Sequence, residues 1–325
     1  MLRSSLIFIC SFAAIGPIFA QSGTKGGVYI PRRPLPGVVD LNADVPGERP
    51  LFAVAGYDVA SIRAGTPKQG SKDYQATFDD QIYCFADEKN KKAFAANPAA
   101  MAPVLSGMSI VEWANSKVMR AGLPSLASVH KGRLYLFAEP RDKQAFEAEP
   151  GKYEDADLLL GGVSPVALVD QERVVVGSKE HEAICQGWRV RFANAKEKST
   201  LLADLGKYFP TFAGADPVAL STGRVLMGDP KNAFTYKNRL YLVATQENAD
   251  RFRAEYKTFS DLDVAEGGNC PVTRVDEGKM QLGKYGITTI HLGRRLLFAS
   301  DEHRKRFLAD PVKYLPDAKK KPPNP

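Results

Sequence analysis

One interval recurs through this chain and constrains its fold more than any other feature. Apolar-aromatic runs end at Phe85, Phe137, Phe192, Val243 and Phe298, 51 to 55 residues apart. Nine residues after each stands an apolar anchor: Phe94, Phe146, Leu201, Phe252 and Phe307. Seven residues further come Met101, Tyr153, Tyr208, Phe259 and Tyr314. Two offsets kept five times mark an internal repeat. A unit of this size buries little core by itself, so neighbours must pack on one another.

Local chemistry gives each unit its form. The runs are preceded by turn segments at Asp79-Asp80-Gln81, Lys131-Gly132-Arg133, Gln186-Gly187, Lys237-Asn238 and Leu292-Gly293-Arg294. Gly or Asn stands at the tight position in four of them, where positive φ is needed, so each unit should hold a β-hairpin. A helix should follow. Asp87, Asn194, Thr245 and Ser300 are good N-caps. Glu139 is the exception, but it precedes Pro140, which suits a first helical position. Pro98, Pro150 and Pro311 should stop three of the helices. Small-residue turns at Gly107, Gly161-Gly162, Gly214 and Gly267-Gly268 close the units. New strands are expected beyond them, at Ile110-Val111, Pro165 to Leu168, Pro217 to Leu220 and Pro271-Val272. The expected fold class is α+β: five tandem hairpin-plus-helix units at 51–106, 107–160, 161–213, 214–266 and 267–316.

The ends read differently. Arg3, then the short apolar stretch Leu6 to Ala20, predicts a secretory signal peptide over residues 1–20, with cleavage after Ala20. The stretch falls short of the roughly 20 apolar residues that span a bilayer comfortably. An uncleaved anchor is the other reading. A Gly/Pro-rich leader over 21–50 and a basic, disordered tail over 317–325 flank the units. The expected location is secreted or periplasmic, with no transmembrane segment in the mature chain.

Composition narrows the function. At 44% hydrophobic and 25% charged, the chain is of ordinary globular type. Its charge of +7 is spread rather than gathered into a basic stripe with stacking aromatics, so no nucleic acid is expected as partner. Beyond the signal stand Cys84, Cys185 and Cys270, with no C-x-x-C spacing and an odd count. Cys84 alternates with Tyr83 and Phe85 on a strand and reads as a small buried hydrophobe. His181-Glu182 lacks the second His of a metalloprotease motif, and no nucleophile elbow, P-loop or dinucleotide fingerprint occurs. The chain is therefore not expected to be an enzyme.

The first unit reads Gly56-Tyr57-Asp58-Val59-Ala60, then Ile82-Tyr83-Cys84-Phe85-Ala86, then Phe94 and Asn97-Pro98. The last carries His291, Phe298-Ala299-Ser300, Phe307 and Asp310-Pro311-Val312-Lys313-Tyr314. In order and spacing these segments resemble the YHS domain family and, through it, small TRASH-like metal-binding modules. The resemblance covers roughly residues 51 to 316 and implies association with copper or other soft ions. Members that bind metal place Cys after the strand-end Phe. Here Ala86, Ala138, Ala193, Ala244 and Ala299 stand there, and the closing G-G-x-C pattern occurs once, ending at Cys270. Seven residues before each strand end stand Phe78, His130, Cys185, Tyr236 and His291, a place where the resemblance implies His. Cys270, Cys185, His130 and His291 are thus the candidate ligands for copper or zinc. Phe78 and Tyr236 at the same place support a filling role instead. The expected function is an exported, non-catalytic binding or scaffold protein acting on a protein or cell-envelope component. The alternative is a copper or heavy-metal carrier, which needs at least two of the four candidates close together. An enzyme is the distant third reading.

Overall fold

The computed structural model describes residues 49–316. The expected signal peptide, the tail, and all of the leader but its last two residues lie outside that range. Within it, five two-stranded antiparallel hairpins alternate with short helices, as an α+β fold requires. The hairpins are β1 (Ser71–Phe78) with β2 (Gln81–Phe85), β3 (Leu123–His130) with β4 (Arg133–Phe137), and β5 (Ser178–Cys185) with β6 (Trp188–Phe192). β7 (Ala233–Tyr236) pairs with β8 (Arg239–Leu242), and β9 (Lys284–His291) with β10 (Arg294–Phe298). A hairpin with its flanking helices is called a unit below. No described helix is long and apolar enough to cross a membrane.

All five hairpin turns have positive φ at both central residues, for example Lys131 at 47° and Gly132 at 77°. That geometry matches the right-handed twist of the flanking strands. The first unit achieves it with Asp79 and Asp80 and no glycine. Four hairpins carry a register shift near the start of the longer strand. In the fourth unit, Pro230 opens a 3-10 turn there and β7 starts late, because proline cannot donate to a ladder. Just before each longer strand the backbone passes very close to the shorter one. A Cβ on Gly70, Gly122, Gly177, Gly228 or Gly283 would lie 2.4–2.6 Å from an atom of Cys84, Leu136, Arg191, Leu242 or Leu297. Only glycine allows that approach.

Behind each hairpin lies a nine-residue helix: Glu88–Ala96, Pro140–Ala148, Ala195–Ala203, Gln246–Ala254 and Asp301–Ala309. Asp87, Asn194, Thr245 and Ser300 cap four of them through their side chains. Glu139 makes no such bond, and Pro140 opens its helix. The anchors Phe94, Phe146, Leu201, Phe252 and Phe307 are all fully buried. Phe146, for example, packs its ring 4.5 Å from Tyr135 and 5.2 Å from Phe137. Each such side chain contributes about 1.5–3 kcal/mol by burial.

The strands expected before the hairpins are helices instead. Ile110–Ser116, Pro165–Asp170, Pro217–Leu220 and Pro271–Asp276 each follow a tight turn, and Val59–Arg63 does so in the first unit. Ser109, Ser164 and Asp216 supply N-cap oxygens, and proline stands at the start of three of these helices. Caps and N-terminal proline outweigh the strand preference of the valines and isoleucine that follow.

Polar clamps join the units. Arg133 and Arg189, from consecutive hairpins, both hold the buried Asp157. Arg239 and Arg295 hold the buried Asp263 in the same way, at 3.1 and 2.7 Å. A third clamp gathers the turns of the first, third and fifth units around Arg49. Its guanidinium donates to Asp79 (2.7 Å), Ser106 Oγ (3.1 Å) and Gln186 Oε1 (3.1 Å). Asp79 also accepts from the Gln186 and Gly187 amides, and Gln186 Oε1 accepts from Gly293 N. Arg49 N donates to Leu292 O. Beside this clamp Cys84 packs with Leu51, Phe52, Leu292 and Leu315. The strand face opposite Tyr83 and Phe85 is therefore buried against the fifth unit, and the first unit touches the last.

Candidate functional site

Of the four residues selected as metal ligands, His130 sits by Glu154 and Cys270 by His303, whereas Cys185 and His291 both lie close to Asp80. His130 ends β3 and sets its Nε2 2.8 Å from Glu154 Oε1, with its ring edge-on to Phe146. Glu154 is held below the usual carboxylate range by hydrogen bonds from Lys131 and His130. Cys185 ends β5, fully buried in the apolar cluster that runs through the second, third and fourth units. Burial pushes its thiol well above the ordinary range, and the charges of Asp79 and Asp80 act in the same direction. His291 ends β9 near the Arg49 clamp, with Nδ1 3.3 Å from Asp80 Oδ1. Its ring stands edge-on to Phe307 at 5.3 Å. Phe78 and Tyr236 sit edge-on to Phe94 and Phe252 in the same manner. The shared position thus supplies an edge partner for the anchor in four units, and in all four the anchor also meets a ring of the shorter strand.

Cys270 occupies the N-cap place of Pro271–Asp276 and is fully buried. Its Sγ lies 3.7 Å from His303 Nδ1, and His303 Nε2 lies 3.6 Å from Glu277. The other units have a counterpart at the same place. Asp58 accepts from Asn90 Nδ2 (2.6 Å), and Asp216 accepts from Asn248 Nδ2 (2.6 Å). Ser109 faces Asp142 (3.4 Å), and Ser164 Oγ donates to Glu197 (2.6 Å). Each pair ties the cap of the first helix to the third residue of the second. Cys270–His303 is the version of this clip made from softer donors. Among the described residues no three His, Cys, Asp or Glu side chains are grouped so as to hold a metal ion.

A cavity of about 320 Å³ lies where the second, third and fourth units meet. Trp113, Leu158, Leu160, Trp188, Met227 and Lys117 are among its lining side chains. Both tryptophans of the chain are there, with ring centroids 5.0 Å apart in an edge-to-face pair. Trp113 Nε1 donates to Ala156 O. Lys117 ends the helix Ile110–Ser116 in the left-handed region, at φ 59°. Its ammonium donates to Ala114 O (3.1 Å) and Trp113 O (3.4 Å) and lies 5.2 Å from the centroid of the Trp113 ring. Desolvation holds its pKa below the ordinary lysine value.

The two tryptophans break the pattern of the units. Four residues after the first-helix cap stand Ile62, Trp113, Leu168, Leu220 and Arg274. The first residue of the shorter strand is Gln81, Arg133, Trp188, Arg239 and Arg294. Aligning the units would have exposed both departures, but that they share one cavity depends on how the units pack. The Arg–Asp clamps also had a signal, since Arg133, Asp157 and Arg189 recur 106 residues on as Arg239, Asp263 and Arg295.

No protein-family model matches the chain, and no curated protein and no solved structure matches it. Its own residues carry the functional reading.

Proposed function

We propose that this chain is an exported, non-catalytic binding protein made of five diverged copies of one YHS-like unit, and that the cavity between the second, third and fourth copies is its ligand site. The cavity carries this reading. It is lined by apolar and aromatic surface, its volume lies at the lower end of the range for ligand pockets, and Lys117 is the one titratable side chain among its lining residues. General acid–base chemistry commonly pairs a positioned proton donor with an acceptor, and this lining offers Lys117 alone. Export rests on the N-terminal segment, and mature protein beginning at Gln21 in the periplasm or medium is the expected outcome of N-terminal sequencing. For binding, a panel of small apolar ligands should raise the thermal midpoint and alter tryptophan emission. A panel that moves neither would sink the cavity reading.

A copper or zinc carrier is the second reading, favoured by the Cys270–His303 contact. Two soft donors can serve a soft ion, whereas structural zinc sites take four ligands. Metal content after loading with Cu(I), Cu(II) and Zn(II) decides it. Near-stoichiometric metal, lost in Cys270→Ser, would favour the carrier. Metal-free protein would leave the binding reading alone.

A further inference from the structure

The cavity has a polarity that its apolar lining conceals. Of the twelve residues around it, Lys117 alone carries charge. No carboxylate among the described residues lies within ion-pair distance of it. Its contacts are the two carbonyls at the end of its own helix and the face of Trp113. An ammonium has three donors, and two of these are engaged here. The charge is partly desolvated without being neutralised, and such a charge gains when a counter-ion reaches it. The first, fourth and fifth units end this helix with Gly65, Gly223 and Gly278 in the left-handed region. The second unit places a lysine there, at a backbone cost of about 1–2 kcal/mol. Beside this charge stand the two indoles, whose faces and edges suit an aromatic or aliphatic body.

We infer that the cavity takes a small amphipathic anion, a carboxylate with an aromatic or acyl body, whose head group meets Lys117 and whose body lies against Trp113 and Trp188. This rests on the binding reading above and specifies its ligand class. The apolar body supplies affinity by leaving water, and the ammonium supplies the preference for a charged head.

The test uses the intact mature protein and its own two tryptophans as reporter. 4-Phenylbutyrate and its neutral analogue 4-phenylbutanol are titrated while indole emission is followed. The expected result is saturable change with both, the carboxylate binding about tenfold tighter, equivalent to about 1.4 kcal/mol. Lys117→Met should bring that preference close to unity, and Lys117→Arg should keep it. Unaltered affinity of Lys117→Met for the alcohol shows that the cavity is intact in the variant. If acid and alcohol bind the native protein equally, or if Lys117→Met keeps the preference, the charged-head inference is overturned while the cavity remains a binding site. If neither compound changes the emission, both the inference and the binding reading fall.

Discussion

At the residue scale, the same contact is built from different chemistry in each unit. The clip between the two helices is Asp–Asn in the first and fourth units, Ser with a carboxylate in the second and third, and Cys–His in the fifth. If Cys270–His303 is one more structural clip, an Asp–Asn pair should replace it. Cys270→Asp together with His303→Asn should retain or raise stability. Cys270→Asp alone should be worse than the double variant by about 1–3 kcal/mol, through a buried carboxylate deprived of its matched donor. A double-mutant cycle by urea unfolding measures the coupling, and additive effects would remove the clip as an explanation. The close-approach glycines give a second test. Gly122→Ala places a methyl 2.4 Å from Leu136 Cβ and should cost about 1–3 kcal/mol by overpacking. These glycines were legible too, since Gly70, Gly122, Gly177, Gly228 and Gly283 each stand fifteen residues before a strand end. Their reason was not, because it depends on how closely the two strands pass.

At the element scale, the hairpin turns do more than reverse the chain. The turns of the first, third and fifth units close on Arg49, whose side chain is almost wholly buried. Arg49→Met should destabilise the protein by about 3–5 kcal/mol, because Asp79 would stay buried without its cation. Asp79→Asn in the same chain should recover part of that loss, and a variant pair that recovers none would argue against the ion pair. The acids here also set a pH response. Burial opposes ionisation of Asp80, but its hydrogen bond and charge contact with His291, then Arg49 and Gln186, outweigh burial and hold it below the usual carboxylate range. A depressed carboxylate stabilises the fold above the pKa of unfolded Asp, about 4, and that contribution is lost as pH falls through the folded value. Asp155 and Asp261 are depressed as well and act with the same sign. Asp79 has the opposite sign, because burial raises it against the pull of Arg49 and with the push of Asp80. Midpoints recorded from roughly pH 3 to 7 should therefore fall below about pH 4, with a shallower acid limb in Asp80→Asn. An acid limb identical in the two proteins would dismiss Asp80 as a contributor.

At the scale of the whole molecule, the described units form a cluster and not an open solenoid. In a solenoid each unit meets its neighbours alone, and stability is a sum of adjacent terms. Here Leu292 of the fifth unit receives the amide of Arg49 and packs beside Cys84 of the first. Gly206 of the third unit lies so close to Thr288 of the fifth that a Cβ would fall 2.1 Å from its hydroxyl. Unfolding should be one cooperative transition, with calorimetric and van't Hoff enthalpies in agreement. Two resolved transitions would contradict the closure. A chain ended at Gly267 should lose structure well beyond the fifth unit, because it strips a partner from both Arg49 and Cys84.

Local chemistry determined much of this protein before any packing was known. Turn residues, N-caps and the anchor offsets placed the hairpins and the nine-residue helices, because those features act within a few residues of chain. The first helices were missed. Their short valine- and isoleucine-containing runs suit either state, and the caps before them decided the outcome. Only the tertiary structure determined which units meet. It set His130 beside Glu154 and Cys270 beside His303, and it brought Cys185 and His291 close to Asp80. It brought Trp113, Lys117 and Trp188 from two units to one cavity, and it buried Arg49 among three hairpin turns. The reason is physical: units of similar form present similar faces, so local chemistry alone leaves their partners undetermined. Contacts between residues over a hundred positions apart, such as Asp79 with Gln186, select among those partners.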